Sequence, residues 1–422
     1  MWTINLLSAS LTVIVGFILL FNLRFFFILH PIRCAARLSK LISDRSLRRS
    51  LFLALAGTLG VGNIYGVSLG IMLGGEGSVF WLFVSSVFAM AVKYSECVLV
   101  GDAGLRGKGM MGALEGSLGA RGKPIAAAYA IFMLLLSLSM GAFIQADSLI
   151  SSAVSFLSID KMAVAALFLI LVAFVISGGG EKIKNATEAL IPIATVAYIA
   201  LCIIVIMKDV SRFPEVISKV MSSAFSTRAF FGGSIPVISF SAFSQGFARG
   251  MLSNEAGAGT SAMAHGESKA EGADIGLFGI SEIFFDTNLL CMLTAFVILF
   301  GSSDPSLSPS PMSLVFSSFK EGAGAWSFLP LLISIIIFAY STVICWYYYG
   351  VKCLSYLRLD RFILGYSFLF SFGILAPVFL DSLAMVYMSD LLLFLMSIPT
   401  LICLLVNRKE IAKKTFFSGF LR

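Results

Sequence analysis

The chain has 422 residues, of which 58% are hydrophobic and 13% are charged, and it carries a net charge of +7. This apolar share is far above that of soluble domains, so the composition excludes a water-soluble protein and indicates a membrane protein. Apolar runs recur along the whole chain with short charged breaks between them, which leaves no length for a sizeable soluble domain.

The apolar runs are long, about 20 residues each, as helices that span a bilayer require. Long runs favour a helical bundle over an outer-membrane barrel, whose strands read as short alternating segments. Residues 3 to 29 lack the basic leader of a signal peptide and are read as a retained helix. We therefore predict an all-α integral membrane protein with about eleven transmembrane helices, near residues 3 to 29, 51 to 73, 78 to 101, 123 to 155, 162 to 178, 186 to 207, 233 to 256, 276 to 300, 326 to 352, 362 to 380 and 385 to 406.

The distribution of Lys and Arg predicts the orientation of the chain. Most of the 30 basic residues fall on one side if the N-terminus lies outside and the C-terminus lies in the cytoplasm. This asymmetry accounts for the net charge, so no nucleic-acid partner is expected. The basic segment 33 to 50 is roughly amphipathic and is expected to lie along the anionic lipid surface.

Cysteine and histidine give no sign of catalytic or metal chemistry. The seven cysteines lie mostly in apolar segments without CxxC spacing, which predicts neither a disulfide framework nor a metal site. The two histidines, His30 and His265, are far apart in sequence. With no activated nucleophile or carboxylate pair in view, we do not expect an enzyme. A passive channel remains an alternative, since channels also use broken helices.

Two of the predicted helices are interrupted by glycine. The first break lies in AGTLGVGN, residues 56 to 63, and the second in FSQGFARGMLSNEAGAG, residues 243 to 259. Glycine-interrupted segments at corresponding positions of two halves indicate a transporter site between inverted repeats. Unwound turns there expose backbone N–H and C=O groups that can bind a carboxylate or a small cation.

When the first helix is set aside, the remaining ten divide into two sets of five, each led by a broken helix. This predicts an N-terminal helix followed by a five-plus-five inverted-repeat core. The corresponding segments are 1–32 (N-terminal helix), 33–50 (basic segment), 51–207 (first repeat), 208–232 (outer loop), 233–406 (second repeat) and 407–422 (basic cytoplasmic tail).

Several separated motifs resemble the alanine or glycine:cation symporter family of bacteria and archaea, within the leucine-transporter-type superfamily. They are GVGNIYGVSLGIMLGGEGSVFW ending at Trp81, AVKYSE (91 to 96), ARGMLSNEAGAG (248 to 259), AHGESK (264 to 269), FDTNLLCMLTAFVIL (285 to 299) and FAYSTVICWYYYG (338 to 350). The resemblance implies a symporter in the plasma membrane that imports alanine or glycine, or D-alanine, with Na⁺ and no other cofactor. A monomer is expected. Proton-coupled transport is the alternative.

The resemblance also implies which residues bind the substrate and the ion. Backbone N–H groups of Val61 and Gly62 would bind the substrate carboxylate, and Trp346 and Phe247 would limit the size of the side chain. The full substrate set is Gly60, Val61, Gly62, Asn63, Gln145, Gly246, Phe247, Thr342 and Trp346. The implied Na⁺ ligands are Ala56, Leu59, Ser341 and Thr342, although the two hydroxyls could instead bond to carbonyls of their own helix.

Charged residues inside helices are costly and require their own explanation. Asp147 could attract the substrate ammonium, bind a proton, or lie near the outer end and reach water. Lys93 and Glu96 stand one turn apart and are expected to pair with each other. Glu282 and Asp286 are expected to bind partner groups on neighbouring helices.

Overall fold

The computed structural model describes residues 2–101, 107–157, 159–225, 242–268, 270, 272–301, 305 and 308–417. These residues form helices and contain no strand. Helices satisfy their backbone groups within one segment, as a lipid environment requires. The predicted all-α class is therefore confirmed.

The first half of the chain contains α1 (Trp2–Asn22), α2 (Phe26–Leu29), α3 (Pro31–Leu41), α4 (Arg45–Thr58), α5 (Val61–Gly74), α6 (Ser78–Val100), α7 (Gly109–Ser117), α8 (Gly122–Leu136), α9 (Gln145–Leu157), α10 (Lys161–Ile176), α11 (Gly179–Lys208) and α12 (Phe213–Ala224). A π-helical segment, Ser137–Ile144, joins α8 to α9 without a break.

The second half contains α13 (Ala242–Asn254), α14 (Thr260–His265), α15 (Gly272–Ile283), α16 (Met292–Gly301), α17 (Pro311–Ala323), α18 (Phe328–Tyr356), α19 (Ile363–Leu375), α20 (Ser382–Val406) and α21 (Arg408–Phe417). A second π-helical segment, Phe284–Cys291, joins α15 to α16. Single 3₁₀ turns occupy Gly119–Arg121, Val210–Arg212, Ala325–Ser327, Asp360–Phe362 and Ala376–Val378.

Seven helical stretches among the described residues are long and apolar enough to cross a membrane, and the bent pair α4–α5 makes an eighth. Two shorter apolar helices span Leu6–Asn22 and Lys161–Ile176. Each of the eleven predicted segments overlaps one of the helices given above. The first part of the segment near 233 to 256 lies outside the described residues, which resume at 242.

The corner between α3 and α4 shows how the sequence sets helix boundaries. Asp44 precedes α4 with extended backbone, and its carboxylate accepts hydrogen bonds from the N–H groups of Ser46 and Leu47 at 2.8 and 3.1 Å. An aspartate at this position satisfies N–H groups that the helix leaves open. The basic segment therefore turns sharply into α4 and sends that helix into the interior of the bundle.

Helix α6 lies at the centre of the bundle, packed against α1, α13 and α15. Its second half is almost fully buried and includes Lys93 and Glu96. Helix α18 packs against α4, α8, α9 and α11. We call the end of the bundle where α4 and α11 begin and α18 terminates the basic end, because ion pairs of Arg49 and Lys352 lie there.

Candidate functional site

The first helical break lies between α4 and α5, whose axes differ in direction by 43°. The N–H of Gly60 donates to the carbonyl of Thr58 at 2.8 Å instead of continuing the helix, and the N–H of Val61 donates to Gln145 Oε1 at 3.3 Å. As a result, the carbonyls of Ala56 and Gly57 lose the donors that an unbroken helix supplies. The N–H groups that begin α5 form a helix N-terminus, which favours an anion.

Gly60 lies where the break meets two other elements. A Cβ added to Gly60 would stand 3.1 Å from Gln145 Oε1 and 3.1 Å from Thr342 Oγ1. Glycine permits this close approach of α9 and α18 to the break, because a Cβ would force the Gln145 and Thr342 side chains to shift by a few tenths of an ångström. Gly60, Val61, Gln145 and Thr342, all predicted for the substrate, are therefore brought together.

Helix α18 presents two adjacent hydroxyls to this region. Thr342 Oγ1 lies 2.9 Å from the carbonyl of Phe338 and 3.4 Å from that of Leu59, so it reaches across to the break. Ser341 is fully buried, and its hydroxyl has no hydrogen-bond partner among the described residues. Native structures rarely leave such a group unsatisfied, and a bound ion is one accepted reason.

Trp346 lies one turn beyond Thr342 on α18 and is fully buried. Its Cβ would be 2.4 Å from a Cβ added to Gly141, so the indole packs directly against the π-helical segment. The indole N–H also has no acceptor within the described part of the chain. Trp346 therefore lies behind the wall formed by this segment and is not among the residues that line the cavity described next.

A cavity of about 250 Å³ lies beside the break, between α5, α9, α13 and α20. A Cβ at Gly62 or Gly66 would meet no atom within 4 Å. These two glycines line the cavity, so no side chain of theirs fills it. Gln145 and Asp147 line the opposite wall. A second cavity of about 240 Å³ also contacts Asp147 and extends to the start of α17.

These features can be compared with known proteins. The model of the family described as "Sodium:alanine symporter family" matches residues 1–416. The chain belongs to this family. It is 33% identical over 326 residues to a sodium/alanine symporter of Methanococcus maripaludis, covering 74% of this chain and 71% of the relative. It is 28% identical over 383 residues to an uncharacterized transporter of Haemophilus influenzae, covering 88% and 83%.

Solved structures give the fold of this symporter. A crystal structure of MhsT in complex with L-phenylalanine superposes with a TM-score of 0.61 at 13% identity, covering 89% of this chain and 92% of MhsT. A Na⁺-coupled sialic acid symporter superposes with a TM-score of 0.55 at 13% identity, covering 88% and 80%. The chain thus has the leucine-transporter-type fold and is a Na⁺-coupled amino-acid symporter rather than an enzyme.

The second break of the symporter lies at the C-terminal end of the predicted stretch 243 to 259, after Gly246 and not at it. Helix α13 continues through Gly246 and ends at Asn254, and positive φ angles follow at Glu255, Gly257 and Gly259. A Cβ at Gly246 would stand 2.4 Å from the carbonyl of Ser78, so this glycine permits close packing against α6.

Phe247 also lies away from the cavity. Its ring is 5.8 Å from that of Trp81 and 6.4 Å from that of Phe88, both on α6. The predicted substrate contacts of Gly246 and Phe247 are therefore revised. Because α13 stays wound, the face that reaches the cavity carries Arg249, Leu252 and Ser253 instead.

Asn63 does not line the cavity, because its side chain is directed at the second π-helical segment. Its amide donates a hydrogen bond to Asp286, and its Oδ1 accepts one from Ser253 at 3.1 Å. Asp286 also accepts from the hydroxyl of Thr287 at 2.8 Å. This buried cluster ties α5 to α13 and agrees with the partner role expected of Asp286.

Lys93 and Glu96 do not pair with each other. The Lys93 ammonium donates to the hydroxyls of Thr260 and Ser261 at 3.1 and 2.7 Å and lies 3.8 Å from Glu282. Glu96 accepts from backbone N–H groups at the second break. Sequence spacing gave the wrong partner because both side chains turn toward α14 and α15.

One group of side chains in the described chain has the spacing of metal ligands, namely Cys97, His265 and Glu282. The Glu282 carboxylate already accepts from Ser261 and lies 2.6 Å from His265 Nε2, and the Lys93 ammonium stands beside it. A neighbouring ammonium disfavours a bound cation, so we assign no metal to this group.

Ion pairs join the helices at the basic end. Arg48 and Arg49 of α4 contact Glu188 of α11 at 3.0 and 3.6 Å. Glu267, which follows α14, pairs with Lys184 at 2.6 Å and with Lys352. Partial burial raises the pKa of Glu267, but the hydrogen bonds and charges of the two lysines outweigh this and lower the pKa to about 2. These contacts connect both broken helices to α11 and α18.

Replacing Glu267 with glutamine is expected to loosen the basic end, because the lysines then lose the charge that draws α14 to α11 and α18. Hydrogen–deuterium exchange of residues 260–268 should rise by about fivefold, the scale of a partly exposed ion pair. Since the pKa of Glu267 is lowered, the stabilisation in the wild type should persist above the ordinary carboxyl range and fade as pH falls toward 2. Glu410→Gln, which breaks a pair within α21 alone, is the control. Equal exchange in both variants would contradict a role for Glu267.

Proposed function

We propose that the symporter imports a small neutral amino acid, alanine or glycine, in either stereochemical form of alanine, together with Na⁺ across the plasma membrane. The basic end faces the cytoplasm in this proposal, and the N-terminus lies outside. The observation that carries the proposal is the broken helix at Leu59 and Gly60, which leaves N–H and C=O groups without helical partners next to buried hydroxyls of α18.

The substrate carboxylate binds the N–H groups at the start of α5, with Gln145 beside them. In the present structure Gln145 Oε1 accepts from the N–H of Val61, so the amide holds the position that a carboxylate oxygen would take. A glycine face at Gly62 and Gly66 leaves room for the substrate. Because the N-terminus of a helix favours negative charge, this arrangement suits a zwitterion bound through its carboxylate.

Sodium binds next to the substrate, between α4 and α18. Its ligands are the carbonyls of Ala56 and Leu59 and the hydroxyls of Ser341 and Thr342. These neutral oxygens are hard ligands that suit a hard cation. Binding of the ion would stiffen the unwound turn and so raise the affinity for the amino acid, and linkage requires the reverse effect to be equal. Alternating access would then expose the site to the cytoplasm.

The test is uptake of radiolabelled alanine and glycine into proteoliposomes, with sodium and proton gradients imposed separately. We expect saturable, concentrative uptake that requires the inward sodium gradient. Uptake driven by a proton gradient alone would favour the proton-coupled alternative, with Asp147 in the cavity wall as its first candidate. An ohmic current without accumulation would indicate a channel.

Replacing Trp346 with alanine is expected to admit larger amino acids, because removal of the indole leaves space behind Gly141. The half-saturating concentration of alanine should rise about tenfold or more, and leucine should begin to compete with it. Phe247→Ala, on the far side of α13, should leave selectivity as it is. Competition assays over an amino-acid panel measure both. Unchanged selectivity and affinity in Trp346→Ala would remove this residue from the site.

A further inference from the structure

A second set of charges lies in the interior of the bundle, around the break at residues 255–259, and the proposed transport site does not use it. Lys93 and Glu96 come from α6, Glu255 from the break itself, and Glu282 from α15. The exposed fraction of each is 2% or less. One ammonium group thus faces three carboxyl groups in a region that excludes water.

Glu282 is fully compensated by its neighbours. One oxygen lies 2.6 Å from His265 Nε2, and the other accepts from Ser261 and lies 3.8 Å from the Lys93 ammonium. These contacts suit an ionised carboxylate, because opposite charge and hydrogen-bond donors both favour the charged form. Lys93 is therefore committed mainly to Glu282.

Glu96 is compensated in part. Its Oε1 accepts from the N–H groups of Gly257 and Gly259 at 2.7 and 3.2 Å, so the side chain holds the break in place. Its Oε2 has no hydrogen-bond partner in the described chain. These two backbone N–H donors stabilise the charged form of Glu96 more than the contacts of Glu255 stabilise its charged form.

Of the three acids, Glu255 has the fewest hydrogen-bond donors and opposite charges around its carboxyl group. Its Oε2 also lacks a partner among the described residues. The Glu255 carboxyl group has a hydrogen bond with the hydroxyl of Thr260, and this hydroxyl in turn accepts a hydrogen bond from Lys93. Its backbone has a φ of 53°, a conformation that residues other than glycine rarely adopt. The titratable groups that act on it are Lys93 and Glu96 from α6, Asp286 from the π-helical segment, Tyr129 from α8, and Cys345 and Tyr349 from α18.

We propose that Glu255 binds a proton at the second break and that transport depends on this proton. An ionised carboxylate with one hydroxyl donor, and with a counter-charge already committed to Glu282, is costly in an apolar interior, and such a group neutralises instead. A proton removes the charge without additional ligands. A metal ion in its place would stand close to the Lys93 ammonium, which repels it.

The position of Glu255 connects this proton to the moving parts. The carbonyl of Ala258 accepts from the Tyr129 hydroxyl of α8 at 2.7 Å, and Glu96 binds the N–H groups on either side. Loss of the proton would place a second poorly compensated negative charge beside Glu96 and strain both contacts. The conformational change of the break during alternating access would then require more free energy.

The first test is the pH dependence of transport. It rests on the proposed function, because it measures alanine uptake. With the sodium gradient held constant, the rate of alanine uptake should fall as pH rises, approaching tenfold per pH unit once the proton is lost. Glu255→Gln should stay active and lose this fall, because the amide mimics the neutral acid. Glu321→Gln, an exposed acid, should keep the wild-type profile. Identical profiles for wild type and Glu255→Gln would overturn the proposal.

A spectroscopic test does not depend on transport or on the substrate. The wild-type protein should show the infrared C=O stretching band of a protonated carboxylic acid at neutral pH, and the intensity of this band should fall in Glu255→Gln. If that variant fails to fold, a pH titration of the band in the wild type replaces it. Absence of the band from the wild type at neutral pH would overturn the proposal even if alanine is transported. A present band in a protein without alanine uptake would instead reject the proposed function alone.

Discussion

Replacing Gly60 with alanine is expected to reduce the initial rate of sodium-driven alanine uptake by about 100-fold. The added methyl group would stand 3.1 Å from both Gln145 Oε1 and Thr342 Oγ1, which is closer than ordinary contact allows. To make room, the Gln145 amide and the Thr342 hydroxyl must shift by a few tenths of an ångström, away from their contacts with Val61 and Leu59. Misplaced groups at a binding site can reduce a rate by about two orders of magnitude, and here the shift disturbs the substrate site and the ion site together.

The matched control for this variant is Gly365→Ala. Gly365 lies in α19, where an added Cβ would meet no atom within 4 Å, so the same chemical change adds no contact. Within a helix it should even favour folding slightly. Uptake rates of the two variants are compared in the same vesicle preparation after thermal melting has shown both to be folded. A Gly60→Ala protein with wild-type uptake would mean that the break is only a packing feature.

The first break could be predicted from sequence, because its cause is local. Gly60 and Asn63 in a long apolar run have no explanation in a simple spanning helix, and the structure places the break at Leu59 and Gly60, within the predicted stretch 56 to 63. The membrane class and the helical segments follow from apolar run lengths, which likewise need no knowledge of neighbouring elements.

The second break shows where local sequence is insufficient. Gly246 and Gly257 stand in the same glycine-rich stretch, but Gly246 allows α13 to approach α6, whereas Gly257 has a positive φ of 92°. A glycine required for close packing and one required for an unusual backbone angle look alike until the neighbouring helix is known. Glu255, which also has a positive φ, carries no local signal at all.

The directions in which side chains point could not be predicted from the sequence either. Asn63 was expected at the substrate, and it instead contacts Asp286 and Ser253. The first π-helical segment ends just before Gln145, and the second includes Asp286. Segments of π-helix often accompany functional sites. Such segments arise from packing between distant parts of the chain, so no spacing rule reveals them.

Replacing Ser341 with alanine is expected to raise the half-saturating Na⁺ concentration for alanine uptake by about 10- to 100-fold, the range of one lost contact to a charged group. The Ser341 hydroxyl is fully buried and has no partner in the described chain, unlike Thr342, which already contacts two carbonyls. A proposed Na⁺ ion would supply the missing contact. Since ion and substrate binding are linked, the apparent affinity for alanine should fall at low Na⁺ and recover as Na⁺ is raised.

Ser334→Ala provides the matched control on the same helix. Ser334 is also buried, but its hydroxyl donates to the carbonyl of Pro330 at 2.9 Å and so serves its own helix. Its removal should leave the Na⁺ dependence within about twofold of wild type, because such a bond contributes little to the helix. Uptake measured over a series of Na⁺ concentrations at constant ionic strength separates the two variants. If both kept the wild-type Na⁺ curve, Ser341 would not be an ion ligand, and the cation site would have to lie elsewhere along the break.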